Sequence, residues 1–340
     1  MTATERFLKY IMIDTTSDEA SESCPSSPNQ LVLGKQLVEE MLAMGVADAR
    51  IDADGYVYGS VPANCEGMPA IGLIAHMDTS DAVPGGPIHH RTLHYEGGDI
   101  VLNAEKNIVM RAADFPALAR EIGNDLIVTD GTTLLGADDK AGVAEILTLA
   151  ERFLKHPEIR HGKLCIAFTP DEEIGRGAKR FRIPELGADF GYTVDGGTLG
   201  EIEFENFNAA AAHVEFQGRS IHPGSAKDKM LNAATLAMEF HAMLPVRETP
   251  ENTENREGFF MLSDIHGCVD HAASDYIVRD HDKTKFEQKK ARLEKIAAYL
   301  NDKYGEGCVK LTVKDSYYNM LEKLKDHMDV VERARDAMLA

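Results

Sequence analysis

No apolar run in this 340-residue sequence approaches the ~20 residues needed to cross a bilayer. The opening MTATERFLKYIMIDTTSDEA lacks a basic segment followed by a long apolar stretch and a small-residue cleavage site, so no secretory leader is expected. Cysteine is sparse. Cys24, Cys65, Cys165, Cys268 and Cys308 are scattered, odd in number and form no CxxC pair. That argues against a disulfide framework or a thiolate zinc knot and for a reducing cytoplasm. Basic residues are in deficit, 36 Lys and Arg against 56 Asp and Glu, for a formal charge of −20. Such a balance disfavours nucleic-acid phosphates and anionic membranes as partners. Internal repeats and low-complexity segments are absent.

What is present reads as a globular α/β protein. Hydrophobic residues make up 44% and charged residues 27%, which excludes extensive disorder. At roughly 100–200 residues per domain the length suggests two domains. Residues 4–13 and 30–45 have helical spacing, the second ending in Gly45, and a Ser- and Pro-containing loop covers 17–28. Short apolar runs follow at 56–61, 70–75, 126–129, 164–169 and 191–194, with a helix over 140–154. Nearly continuous apolar strands alternating with helices indicate a layered sheet buried on both faces. Past Phe207 the order changes to strand 208–217, helix 229–244, strands 259–269 and 275–280, helix 284–304 and strand 309–317. This β-α-β-β-α-β order is the ferredoxin-like split βαβ, and it has the look of a second domain inserted into the first. A last helix is expected over 321–340. The expected domains are thus 1–207 with 319–340, and 208–318.

Four strand ends carry acids or histidine. Gly72-Leu-Ile-Ala-His76-Met-Asp78 delivers a His and an Asp two residues apart, on one side of an extended chain. Gly136-Ala-Asp138-Asp139-Lys140 sets adjacent carboxylates at a helix start, where capping explains one of them but not both. Pro170-Asp171-Glu172-Glu173 places three acids in a row, unfavourable unless solvent or cations offset them. Val194-Asp195-Gly196-Gly197 adds another acid. Each alone fits a solvated loop. Together they form a mixed His and carboxylate set at the carboxyl ends of strands, where open α/β sheets build their sites. That donor set suits zinc, manganese or cobalt at a hydrolytic centre.

The stretches HMDTS, TLLGADDKAGVAEI, AFTPDEEIGRGAK, YTVDGG, EFENFNAA, HPGSAK and DSYYNM run in order from residue 76 to residue 320. In them the chain resembles the peptidase T family of tripeptide aminopeptidases, among the dinuclear zinc aminoacylase/carboxypeptidase metallopeptidases. EFENFNAA and DSYYNM distinguish that family from other amidohydrolases of the clan. The resemblance implies an α/β zinc-peptidase mixed sheet with an inserted ferredoxin-like lid and dimerisation domain. It implies His76 and Asp195 on one zinc, Asp138 bridging two zincs, and Glu173 on the second. Asp78 would orient His76, and Glu172 would be the general base for a metal-bridged water. His222 would stabilise the oxyanion, Arg279 would contact a short peptide substrate, and the 138–139 peptide would be cis. The family sequence runs on past the point matching Ala340, to a GGTDGA-like segment and a histidine of the second zinc site, and His327 does not resemble that histidine. The expectation is therefore weakened second-metal binding, low or absent activity and an uncovered sheet edge. The alternatives are another amidohydrolase of the clan, or an impaired homologue that only binds or dimerises.

Overall fold

The computed structural model describes all 340 residues, and the chain divides into two compact units, Met1–Leu199 and Gly200–Ala340. The first unit begins with α1 (Ala3–Tyr10) and α2 (Pro28–Met44). Thr2 caps α1 through a reciprocal box with Glu5, and Gly45 ends α2 in a left-handed turn at φ +91°. Then come β1 (Ala47–Ile51), β2 (Val57–Val61), β3 (Ile71–His76), β4 (His90–His94), β5 (Ile100–Asn103), β6 (Ile108–Met110) and β7 (Asp125–Thr129). The unit closes with α3 (Ala137–Lys155), β8 (Leu164–Thr169), α4 (Ile183–Leu186) and β9 (Phe190–Thr193).

Five of these strands form one mixed sheet in the order β1-β2-β8-β3-β9. Strand β8, LCIAFT, is buried at every position and lies second from β9, which is why its sequence is apolar throughout. It runs parallel to β3, and β3 runs parallel to β9, while β1 and β2 pair antiparallel. Helices α1, α2 and α3 supply Phe7, Leu33, Leu37, Val143 and Leu147 to the core against Val57, Ala75, Ile166 and Phe168.

Residues 126–129, counted above with the layered sheet, pair instead with β4 in a separate two-stranded ribbon, and β5 pairs with β6 in another. Their half-exposed short runs carry too little apolar pattern to show this in sequence.

The second unit holds β10 (Asn208–Gln217), α5 (Ala233–Ala242), β11 (Phe259–Gly267), β12 (His271–Asp280), α6 (Lys283–Tyr304) and β13 (Val309–Tyr317). Its antiparallel sheet has the order β11-β12-β10-β13, the arrangement of a ferredoxin-like split βαβ. Phe216, Phe240, Tyr276, Phe286 and Leu293 fill the space between this sheet and its two helices.

The two ends of this module meet. Asn208, fully buried, donates its amide to the carbonyls of Asp280 and His281, and its side-chain oxygen accepts the Asn319 N–H at 3.0 Å. The Asn319 side chain accepts the Asn206 N–H at 3.1 Å and donates to the His281 carbonyl at 3.2 Å. EFENFNAA and DSYYNM are thus two sides of one amide ladder.

The expected helix over 321–340 is broken into α7 (Leu321–Leu324) and α8 (Asp329–Leu339). Neither buries a residue, and the His327 N–H closes a turn onto the Leu324 carbonyl at 2.7 Å. Without an apolar surface beneath it, amphipathic spacing did not hold one straight helix. No helix of the structure is long and apolar enough to cross a membrane.

Candidate metal centre

Strand register builds the site. His76 ends β3 directly beside Thr169, the end of β8, and Ile74 lies beside Thr193, the end of β9. Three parallel neighbours therefore release 76–78, 169–173 and 194–195 at one edge of the sheet. The start of α3 adds Asp138 and Asp139.

His76 is buried, with its Nδ1 2.9 Å from the Asp78 carbonyl oxygen and 3.4 Å from Asp78 Oδ1. Its Nε2 stands 2.8 Å from Asp138 Oδ1, 3.8 Å from Asp195 Oδ1 and 4.0 Å from Glu172 Oε2. Asp78 is fully buried and accepts the N–H groups of Glu172 at 2.9 Å and Glu173 at 3.1 Å. Asp78 thus meets the imidazole through its backbone carbonyl and holds the turn bearing two acids through its carboxylate.

The adjacent aspartates divide their work. Asp139 is buried, and its two oxygens accept the N–H groups of His76 at 3.0 Å and Gly142 at 3.2 Å. The second bond caps the helix, as a capping residue would. Asp138 remains exposed and faces His76. The peptide between them is cis, as the resemblance implied. A Cβ on Gly142 would come within 2.1 Å of the Val194 carbonyl, so only glycine lets α3 approach the strand that presents Asp195.

Charge is unbalanced here. Burial raises Asp139 to about 8, helped by the negative charge of Asp195. Burial first, and neighbouring carboxylates second, lift Glu172, Glu173 and Asp195 above the usual carboxylate range. Burial pulls His76 down, but Asp78, Asp139 and Asp195 outweigh it and hold the imidazole up at about 10. His76 is the one basic side chain among them. Lys140 is buried nearby, but its ammonium donates to the Ile13 carbonyl at 2.7 Å, and burial lowers it to about 8.

These residues fit a metal. Ligand atoms of His76, Asp138 and Glu173 all lie within 4.8 Å of one another, as do those of His76, Asp139 and Asp195. With Asp139 engaged by two backbone donors, Asp138 is the aspartate left to face a cation. The donor set, one imidazole and several carboxylates, suits zinc, cobalt or manganese.

His222 and Arg279 belong to the second unit. His222 is exposed, and its Nδ1 accepts the Gly224 N–H at 3.2 Å. Arg279 is half-buried with its guanidinium 6.0 Å from the Phe207 ring centre, and its Nε lacks a partner.

Sequence reasoning overlooked Ser26 and Gln30, which hold Asp171 from 145 and 141 residues away. Ser26 lies in a polar loop and Gln30 in the first turn of α2, and no local pattern in either pointed to Asp171.

A family model described as a peptidase dimerisation domain matches residues 204–308. The chain is similar to peptidase T of Alkaliphilus oremlandii, 52% identical over 338 residues, which cover 98% of this chain and 83% of that protein. Peptidase T of Clostridium acetobutylicum is likewise 52% identical over 336 residues, covering 98% of this chain and 82% of the relative. Among solved structures, the aminopeptidase PepT of Bacillus cereus matches with a TM-score of 0.69 at 23% identity, covering 97% of this chain and 81% of that one, a likeness of fold. Sharing half its residues along nearly its whole length with such relatives, the chain belongs to the peptidase T family of metallopeptidases.

Proposed function

We propose that this chain is a zinc-dependent aminopeptidase that releases the N-terminal residue of tripeptides in the cytoplasm. The observation that carries the reading is the cluster of His76, Glu173 and Asp195 at three adjacent strand ends with Asp138 at the start of α3, negative in excess, with His76, Asp138 and Glu173 spaced for a cation. The 52% identity to peptidase T supports the substrate class, and five free cysteines support a reducing compartment. The match to a dimerisation domain supports a homodimer formed through the second unit, with 208–318 as the lid and dimerisation domain and 1–207 with 319–340 as the catalytic one.

In this reading His76 and Asp195 would hold one metal and Glu173 a second, with Asp138 available to both. When bound, such a pair lowers the pKa of water and polarises the scissile carbonyl. Asp78 keeps the His76 proton on Nδ1 and leaves Nε2 free to ligate. Glu172 takes a proton from the attacking water and returns it to the leaving amine. Its raised pKa suits that exchange, because a base poised nearer neutrality also serves as an acid. His222 stabilises the oxyanion and Arg279 contacts the substrate, roles supported by resemblance.

Glu172→Gln tests the reading. Turnover of a simple tripeptide should fall ~10²–10⁴-fold while bound metal is retained. Dipeptides and N-acetylated tripeptides should resist the unaltered protein. Cleavage of the acetylated substrate would favour an aminoacylase or carboxypeptidase instead.

A further inference from the structure

The buried carboxylate of Asp171 is used by nothing in the reading above, yet it immediately precedes the base and a metal ligand. It is 1% exposed, and no lysine or arginine pairs with it. An ionised carboxylate in such a place demands compensation by hydrogen bonds. It receives them from one short segment at the start of α2. The Ser26 N–H lies 2.8 Å from Oδ2 and 3.0 Å from Oδ1, and the Ser26 hydroxyl lies 2.5 Å from Oδ1. The Gln30 amide donates to Oδ1 at 2.8 Å, and its carbonyl accepts the Asp171 N–H at 3.2 Å. Ser26 is 5% exposed and Gln30 fully buried.

This clamp grips a strained point. Asp171 has φ +57°, the left-handed region that non-glycine residues rarely adopt without support. The turn that follows throws Glu172 and Glu173 off the end of β8, and their N–H groups then reach Asp78. The Asp171 and Glu172 carbonyls accept from Arg176 at 2.8 Å and Gly175 at 2.7 Å, which closes the turn. Asp78 therefore holds the turn from the β3 side, and Ser26 with Gln30 holds it from the helix side.

We infer that Asp171, clamped by Ser26 and Gln30, is a positioning residue that aims Glu172 at the reacting water and Glu173 at the metal. The inference rests on the proposed roles of those two glutamates. It makes residues 26–30, which touch no expected ligand, part of the catalytic apparatus.

The test compares Asp171→Asn, Gln30→Ala and Ser26→Ala with the unaltered protein. Thermal unfolding and circular dichroism check the fold. Asp171→Asn should lower kcat for a tripeptide ~10–100-fold with KM changed less than threefold, and weaken Zn²⁺ binding measured by competition with a chromophoric chelator ~10-fold or more. Gln30→Ala and Ser26→Ala remove one donor each and should give smaller losses in the same quantities. Ser26→Thr, which keeps the hydroxyl and the N–H, should restore them. In a Glu172→Gln background with Zn²⁺ held saturating, so that the Glu173 branch is not read, Asp171→Asn should reduce kcat no further, because groups that act as one unit are not additive. Full kcat and full Zn²⁺ affinity in folded Asp171→Asn would overturn the inference while leaving Glu172 as base. Additive losses in the double variant would overturn it as well. If Glu172→Gln retains turnover, the general-base reading fails by itself, and Zn²⁺ affinity still decides whether Asp171 aims Glu173. Should Asp171→Asn fail to fold, the Gln30 and Ser26 variants carry the same decision.

Discussion

The first unit contains two clusters of charge, each built on a buried cation-capable side chain, and they behave in opposite ways. In one, Arg6 is 1% exposed and held by Glu40 at 2.8 Å, Glu151 at 2.7 Å, the Thr148 hydroxyl and the Met1 carbonyl. Lysines 9 and 155 join from the surface. Hydrogen bonds from Lys155 and Arg6 hold Glu151 down at about 2. In the other cluster, acids surround His76, and Asp139, Glu172, Glu173 and Asp195 shift upward. The first cluster is complete as a protein. The second is short of positive charge, and clustered groups shifted in that way mark functional sites more often than structural ones. The direction of the shifts, more than the count of charges, separates a brace from a binding site.

The comparison can be broken at the brace. Arg6→Met would leave Glu40 and Glu151 partly buried with fewer partners, and the chain should lose about 3–5 kcal/mol of stability in chemical denaturation. A loss under 1 kcal/mol would show that water reaches the cluster and that it is no brace. Tripeptide turnover of the folded variant should stay near normal.

It can be sharpened at the site. Asp78→Ala removes the carboxylate beside His76 and the acceptor for two turn N–H groups, so Zn²⁺ affinity should fall ~10–100-fold by competition titration. Unchanged affinity would mean that the Asp78 backbone carbonyl, 2.9 Å from His76 Nδ1, orients the ring unaided.

The smallest effect is one of pH. Glu151 sits at about 2 in the folded chain against an ordinary value near 4.5, so its contribution is complete above 4.5 and is lost as pH falls toward 2. Because Glu151 keeps some solvent contact, the effect should be modest. Acid unfolding of Glu151→Gln should accordingly lack part of the pH dependence seen in the unaltered chain over that window. An identical profile would remove Glu151 from the account. The site should respond in the same sense but at higher pH: with Glu173 and Asp195 raised, metal binding should weaken on acidification earlier than for ordinary carboxylates.

Much of this was legible in the chain because the relevant signals are local. The β8 run of six buried residues and the acids after it are contiguous, and so are β3 and His76. Parallel register then brings contiguous signals together without further information. The β4–β7 ribbon was misplaced because a half-exposed strand does not reveal which partner it pairs with. The clamp on Asp171 was invisible for a different reason. Ser26 lies in a loop that composition marks only as polar, Gln30 sits in the first turn of α2, and nothing local couples either to residue 171. Asp139 fell between the two cases: capping was the expected role for one of the paired aspartates, but its second bond, to the His76 backbone, needed the fold.

The amide ladder joining Asn206 and Asn208 to Asn319 has a consequence for how such a chain can be rearranged. A module whose entry and exit are one hydrogen bond apart can be spliced into a turn of a host protein without prying that turn open, so its graft adds little closure entropy. The ferredoxin-like unit is in that sense a portable cassette, its seam stitched by three asparagines.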